Sequence, residues 1–209
     1  MTVLLLVRHA ITEDTGKRLY GRQPGVHLSE RGRRQAEELA ARLGDLPLAA
    51  VYSSPLERCV ETAEPTALAR GLDVLRDPGL AETDAGRWTG RTFASLARTR
   101  AWRRIRFLPS AARFPDGEAL AEVQHRTVAA LDAVARRHPR DLVAVFTHGD
   151  PIRLALAYFA GLPLDLFSRL EVAAASISAV ALSDGPPRVV RVNDTGGLDD
   201  LVPRGTRRR

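Results

Sequence analysis

The first feature of the chain is a series of short apolar runs separated by longer, partly polar segments. Residues 2–7, 49–52 and 142–146 are almost entirely apolar. Runs of this length, bounded by polar residues, predict strands that are buried on both faces of a sheet. Further strands are predicted at residues 72–75, 172–182 and 189–192.

The segments between these runs carry apolar residues at the three- and four-residue spacing of amphipathic helices. Residues 29–43 predict a helix that Ser29 caps. A capping residue followed by proline predicts two more helix starts, at Ser54-Pro55 and Asp150-Pro151. Residues 92–106 and 117–138 are also predicted to be helical. Strands that alternate with helices of this length predict an α/β sandwich around a largely parallel sheet.

Length and composition restrict the class of protein. The chain has 209 residues, of which 44% are hydrophobic, enough for one large domain with its own core. Its one cysteine, Cys59, excludes an internal disulfide framework and a multi-cysteine zinc site. We expect a cytoplasmic protein without a membrane partner, because no apolar run approaches 18 residues and the start lacks the charged lead of a signal peptide. We predict a single domain over residues 1–198 and a basic, disordered tail over 199–209, where residues 201–205 resemble an engineered protease-cleavage site.

The charge of the chain is positive and consists of arginine. The formal net charge is +6, and Lys17 is the single lysine among 31 basic residues. One interpretation is compositional bias. The other is an anionic partner, either a phosphorylated small molecule or a nucleic acid, because guanidinium groups bind phosphate oxygens through two parallel donors. Composition alone leaves both open.

Candidate chemistry lies where the predicted strands end. The first strand runs into Arg8-His9, and the strand at 142–146 runs into Thr147-His148-Gly149. Ligands of open α/β sheets bind beyond the carboxyl ends of strands, so we expect both histidines at one site. The strand at 49–52 leads to Arg58 at the start of a helix, where anions are favoured. Glu82 and Asp84 are candidate carboxylates, and the whole set suits phosphoryl transfer through a histidine nitrogen.

These motifs resemble the histidine phosphatase, or phosphoglycerate-mutase-like, superfamily. The resemblance covers nearly the whole chain and depends on the joint order of its motifs: Leu6-Val7-Arg8-His9-Ala10-Ile11-Thr12, Leu28-Ser29-Glu30-Arg31-Gly32, Ser53-Ser54-Pro55-Leu56-Glu57-Arg58 with Glu61-Thr62-Ala63, Leu80-Ala81-Glu82 with Gly86, Trp88 and Gly90, Thr147-His148-Gly149, and Val192-Asn193-Asp194-Thr195. It implies a three-layer α/β/α sandwich.

The resemblance also implies a role for each candidate residue. His9 would be the nucleophile that forms a phosphohistidine, with its other ring nitrogen donating to an acceptor such as a backbone carbonyl. Arg8, Arg58 and His148 would hold the phosphoryl oxygens, and Glu82 would be the proton donor. The chain departs from the family pattern at Ala10, at Ile11 and in the absence of an asparagine among residues 13–16. Thr12, Arg18 and Arg22 are the candidates that would contact substrate instead.

Several alternatives accompany these assignments. Asp84 competes with Glu82 for the acid role, and we prefer Glu82 by its motif. A cysteine-phosphatase interpretation of Cys59 needs an arginine six positions later and meets Pro65. Residues at about 88–118 are predicted to form a lid, in which Trp88 packs internally; the lid residues that are candidates for substrate selection are Trp102, Arg103, Arg106, Phe107 and Phe114.

We therefore predict a metal-independent phosphomonoester phosphatase that acts on a small phosphorylated metabolite and needs no cofactor. The alternative is a phosphomutase, which is disfavoured because Arg58 and Glu82 are only 24 positions apart, whereas mutases of this family tend to carry longer inserts there. A basic nucleic-acid-binding protein is a third hypothesis, weakened by an aromatic content of 5%. A homodimer is the oligomer that base rates favour.

Overall fold

The strands form one six-stranded sheet in the computed structural model, which describes residues 1–197. The predicted tail at 199–209 lies outside the described residues. The strands are β1 (Thr2–Arg8), β2 (Leu48–Ser53), β3 (Val74–Arg76), β4 (Leu142–Thr147), β5 (Ile177–Leu182) and β6 (Arg188–Asp194), in the spatial order β3-β2-β4-β1-β5-β6. The first four in that order run parallel, and β5 and β6 are antiparallel to their neighbours. The largely parallel sheet is confirmed.

Helices cover both faces of this sheet. They are α1 (Glu30–Leu43), α2 (Glu57–Arg70), α3 (Phe93–Ala97), α4 (Arg100–Phe107), α5 (Leu120–Arg137) and α6 (Gly149–Phe159). Alternate residues of β1 point to opposite faces, so Leu4 and Leu6 share a core with α5 and α6. Leu5 and Val7 pack with α1 and α2 on the other side. This is the three-layer sandwich that the resemblance implies. Within residues 1–197 no helix is both long and apolar enough to cross a membrane.

Two predicted helix starts are wrong by two residues or fewer, for reasons that matter to the site. Helix α2 begins at Glu57 rather than at Pro55, and Ser54 does not cap it; its hydroxyl instead contacts the ring of His148. Helix α6 begins at Gly149, and the extended residue before it is His148, so Asp150 lies inside the first turn. In both places a polar side chain, that of Ser54 or of His148, serves the candidate site and makes no capping hydrogen bond to its helix.

The remaining differences lie in the loops. The predicted helix at 92–106 is two helices, because Thr99 is extended and caps α4 through the N–H of Trp102. The strand predicted at 72–75 is observed as β3, which starts two residues later, at Val74, and ends at Arg76. The strand predicted at 172–182 begins only at Ile177, because the preceding loop turns toward β1, where the N–H of Ala175 bonds the carbonyl of Arg8 at 3.1 Å.

The predicted lid segment packs against α5 and α6 through an aromatic cluster. Trp88 is buried, as predicted, and its ring lies 5.7 Å from that of Phe114 and 5.9 Å from that of Trp102. Phe114 is itself buried, which removes it from the candidates for substrate selection in this conformation, whereas Phe107 is 77% exposed. That the segment acts as a lid stays a prediction.

Candidate active site

The two histidines meet because their strands are neighbours. In the parallel pair β1–β4, Arg8 lies opposite Thr147, so the residues that follow, His9 and His148, leave the sheet side by side. Their ring centroids are 5.2 Å apart, and both side chains are buried. The expectation that strand ends bring them together is confirmed in the structure.

His9 is held as a neutral ring with one nitrogen free. Its Nδ1 lies 2.7 Å from the carbonyl oxygen of Ala10, which can only accept, so Nδ1 carries the proton. Burial, together with the charges of Arg58 and Arg8, lowers the pKa of His9 well below its usual value. Nε2 therefore keeps its lone pair, which is the state that a nucleophile requires.

His148 is oriented by the end of β2. Its Nε2 lies 2.8 Å from the hydroxyl of Ser54 and 3.3 Å from the sulfur of Cys59. Its Nδ1 lies 3.8 Å from a carboxylate oxygen of Glu82 and therefore faces the interior of the site. Burial, followed by the charges of Arg58 and His9, lowers the pKa of His148 well below its usual value.

The two arginines present donors that the protein does not use. Arg8 donates from Nη1 to the carbonyl of Val172 at 2.7 Å, and Arg58 donates from Nη2 to the carbonyl of Gly21 at 2.8 Å. Arg8 Nε and Arg58 Nη1 are buried and have no hydrogen-bond partner within residues 1–197. Buried N–H groups are almost always paired in folded proteins, so two such donors beside His9 mark a place for an anion.

Glu82 completes the site at the end of an extended loop. Its Oε1 accepts a hydrogen bond from the N–H of Thr83, which leaves Oε2 toward His148. Burial, followed by the charge of Asp150, raises the pKa of Glu82 to about 7. The group is thus poised to exchange a proton near neutral pH. Asp84 accepts from the N–H of Gly86 in a turn, which favours the choice of Glu82.

Three further predicted contacts lie beside this group rather than in it. The hydroxyl of Thr12 bonds that of Thr15 at 2.9 Å. Arg22 is tied to the carbonyl of Glu82 and to the carboxylate of Glu118, and Arg18 donates to the carbonyl of Gly90. Their roles in substrate binding stay predictions.

Cys59 has no free thiolate. It is fully buried, and its Sγ donates to the carbonyl of Thr147 at 3.4 Å. Burial raises the pKa of its thiol to about 12. A neutral thiol is a weak nucleophile, so the structure agrees with the rejection of a cysteine-phosphatase mechanism.

The comparisons with known proteins agree with this arrangement. A family model described as "Histidine phosphatase superfamily (branch 1)" matches residues 4–195. The chain belongs to the histidine phosphatase superfamily. It is 32% identical over 203 residues to phosphoserine phosphatase 1 of Hydrogenobacter thermophilus, covering 96% of each chain. It is also 35% identical to a Proteus mirabilis protein named "Probable phosphoglycerate mutase GpmB", covering 89% of this chain and 87% of that one.

The solved structure of YhfR from Bacillus stearothermophilus superposes with a TM-score of 0.87 at 29% identity, covering 93% of this chain and 98% of the other. The predicted family and fold are thus confirmed, and the relatives support the predicted class of enzyme, a phosphoric monoester hydrolase. Within residues 1–197 no group of three or more histidine, cysteine, aspartate or glutamate side chains is arranged to hold a metal ion.

Two other motif residues of this histidine phosphatase have structural roles that the sequence did not reveal. The hydroxyl of Thr62 accepts from the N–H of Ala10 at 3.1 Å and donates to the carbonyl of Arg58 at 2.6 Å, so it joins the loop after His9 to α2. Gly32 lets α1 approach the same loop, since a Cβ there would lie 2.0 Å from the carbonyl oxygen of Ile11.

Asn193 reaches the site through a single peptide group. Its Oδ1 accepts from the N–H of Ala173 at 2.6 Å, and the carbonyl of the same peptide, that of Val172, accepts from Arg8 Nη1. A bond to the N–H orients the peptide plane and strengthens its carbonyl as an acceptor. Asn193 also occupies a left-handed backbone conformation with φ of 54°, which asparagine tolerates better than most residues. The side chain therefore helps to aim Arg8.

Replacing Asn193 tests this connection. Asn193→Gly keeps the left-handed backbone but removes the acceptor. We expect the inhibition constant for vanadate or inorganic phosphate to rise about tenfold, which corresponds to the loss of the one hydrogen bond that orients the peptide bound by Arg8. Asn193→Asp keeps the acceptor oxygen and should retain near-normal inhibition. The measurement is competitive inhibition in parallel with thermal unfolding; equal inhibition constants for the two variants would contradict the role.

Proposed function

We propose that this protein is a phosphomonoester phosphatase that transfers the phosphoryl group of a small phosphorylated metabolite first to His9 and then to water. One observation carries the proposal: Arg8 Nε and Arg58 Nη1, which are buried, flank a neutral histidine, and neither they nor its Nε2 have a hydrogen-bond partner among residues 1–197. Fixed cations aimed at the equatorial oxygens stabilise the charge of a loose phosphoryl-transfer transition state.

In the first half-reaction the lone pair of His9 Nε2 attacks phosphorus while the ester P–O bond breaks. The leaving oxygen takes the electron pair of that bond and a proton from Glu82, which is protonated in a large fraction of molecules at neutral pH because its pKa is about 7. The products are a neutral alcohol, a phosphohistidine and the carboxylate of Glu82. The hydrogen bond from His9 Nδ1 to Ala10 supports the positive charge that the ring acquires.

In the second half-reaction water attacks phosphorus and the P–N bond breaks. Glu82, now a carboxylate, takes a proton from that water, so it returns to its starting state together with His9. His148 Nδ1 lies 3.8 Å from the Glu82 carboxylate and would contact the transferring oxygens. Dividing one displacement into two gives each step a good nucleophile or a good leaving group.

The test is hydrolysis of p-nitrophenyl phosphate in buffer that contains EDTA. We expect turnover, together with a phosphoenzyme whose label is lost in acid and kept in base, as a phosphohistidine requires. Turnover that disappears in EDTA and returns with added metal would overturn the proposal, and so would a label that is stable in acid.

A phosphomutase is the second candidate, because several relatives bear a mutase name. Incubation with phosphoglycerate separates the two: a phosphatase releases inorganic phosphate, and a mutase yields an isomer without net release. We favour the phosphatase on the short Arg58–Glu82 spacing. For nucleic acid we expect only weak binding that salt abolishes, since Arg58 is buried and Arg8 is half-buried with an inaccessible Nε, so neither is available to a large polyanion.

A further inference from the structure

The loop that carries Glu82 is held by side chains instead of by a neighbouring strand. Four consecutive carbonyls along it accept hydrogen bonds from side chains. Gly79 and Ala81 accept from Arg126, Leu80 accepts from the hydroxyl of Thr147, and Glu82 accepts from both Arg126 and Arg22. The backbone carbonyls of a segment outside the sheet need other hydrogen-bond partners. Because a single arginine bonds three of them here, it fixes the path of the loop.

Arg126 uses every donor of its guanidinium at this place. Nη1 donates to Gly79 and Ala81 at 2.9 and 2.7 Å, and Nη2 donates to the carbonyl of Glu82 at 2.9 Å. Nε and the second hydrogen of Nη2 go to the carboxylate of Glu118 at 2.8 and 3.0 Å. A guanidinium has five N–H groups in a rigid fork, so this side chain is fully satisfied and cannot be replaced by an ammonium.

Glu118 joins this arginine to Arg22 and to Asp84 at the C-terminal end of the loop. Its Oε1 also accepts from Arg22, and its Oε2 accepts from the N–H of Asp84 at 2.9 Å. Although burial raises the pKa of Glu118, its hydrogen bonds from Arg126 and Asp84 lower that pKa overall, so the group stays a carboxylate. Both charged side chains are only about one-fifth exposed.

We infer that Arg126 and Glu118 are positioning residues that hold Glu82 at the distance and angle required for proton transfer to the leaving oxygen. The inference rests on the proposed function, in which Glu82 is the acid. The five donors of Arg126 and both carboxylate oxygens of Glu118 are bonded within the protein, so each would act through the backbone at residues 79–84 and not by contact with the phosphoryl group. Misplacing a reacting group by about 1 Å costs on the order of 100-fold in rate, so a loosened loop should be felt in catalysis.

The chemistry of the leaving group provides a readout that a merely structural role would not move. Phenyl phosphate and p-nitrophenyl phosphate are similar in size, but phenolate is a much poorer leaving group than nitrophenolate and needs its proton more. The ratio kcat/KM reports the steps up to departure of the leaving group. A misplaced acid therefore lowers kcat/KM for phenyl phosphate selectively, whereas partial unfolding lowers both values by the same factor.

The decisive variant is Arg126→Lys, compared with Arg137→Lys on the exposed surface of the same helix. We expect Arg126→Lys to lower kcat/KM about 100-fold for phenyl phosphate and less than about 10-fold for p-nitrophenyl phosphate. Glu118→Gln should show the same selectivity, and it carries the test if the lysine variant does not fold. Arg137→Lys should leave both values unchanged.

Two results would overturn the inference. The first leaves the proposed role of Glu82 intact, and the second removes that role as well. Equal losses on the two substrates in Arg126→Lys and Glu118→Gln, beside a selective loss in Glu82→Gln, would show that the pair only stabilises the fold. A Glu82→Gln variant without selectivity would remove Glu82 as the acid, and with it both the inference and that part of the proposed function.

Discussion

Replacing His9 with alanine is expected to reduce the hydrolysis of p-nitrophenyl phosphate by about 10⁴-fold or more. The variant lacks the Nε2 lone pair that attacks phosphorus, and if the hydroxyl of Ser54 donates to His148 Nε2, the proton of that ring lies on the Nδ1 that faces the site, so His148 offers no lone pair there. The measurement is steady-state turnover together with trapping of the phosphoenzyme, which should be absent from His9→Ala.

The control for this variant is His125→Ala, because the side chain of His125 is exposed on α5 and is not one of those assigned to the site. It should retain full activity. Since Arg8 and Arg58 remain in His9→Ala, vanadate or phosphate should still raise its unfolding temperature, which verifies a folded pocket. Turnover within a few-fold of the parent protein, from a pure preparation, would refute the assignment of His9.

Replacing Glu82 with glutamine has the second largest expected effect, a loss of about 10²- to 10⁴-fold in kcat/KM for phenyl phosphate. A glutamine side chain can donate a hydrogen bond but cannot release a proton to the leaving oxygen. The loss should be much smaller for p-nitrophenyl phosphate, whose leaving group departs without one.

The same variant tests the pH dependence. The acid must be protonated at the start, so kcat/KM should fall as pH rises through the pKa of Glu82, about 7, and this falling limb should be missing from Glu82→Gln. Ionisation of the substrate affects both proteins alike and cancels in their ratio. Asp150→Asn removes a negative charge that raises the pKa of Glu82 and should move the limb to lower pH. A falling limb that persists unchanged in Glu82→Gln belongs to another group.

The parts of the site that the sequence predicts are those that depend on strand ends. A buried strand is recognisable from its apolar run, and a polar residue directly after it falls at one edge of a parallel sheet, which locates His9 and His148. Arg58 and Glu82 follow from motif resemblance, and the structure places both beside the histidines.

The parts that the sequence does not predict depend on contacts across the fold. Arg126 resembles any solvated charge on an amphipathic helix, and nothing local indicates that it bonds three carbonyls that lie more than 40 residues earlier in the chain. Ser54 resembles a helix cap by its neighbour Pro55, but its hydroxyl serves His148, so the local rule loses to a tertiary contact. No local pattern of residue types or spacing distinguishes Arg126 from a solvated arginine, or Ser54 from a helix cap.

The order of strands in the sheet has a consequence for how the protein becomes active during its synthesis. The strand β1, which is the first of the six along the sequence, lies between β4 and β5, whose residues fall between positions 142 and 182. The strand that leads to His9 therefore pairs with β4 only after residue 147 has been made and with β5 only after residue 182 has been made, and closing such long loops slows folding. His9 and His148 come together only when β1 and β4 pair, so we expect no activity from a nascent chain that lacks β4.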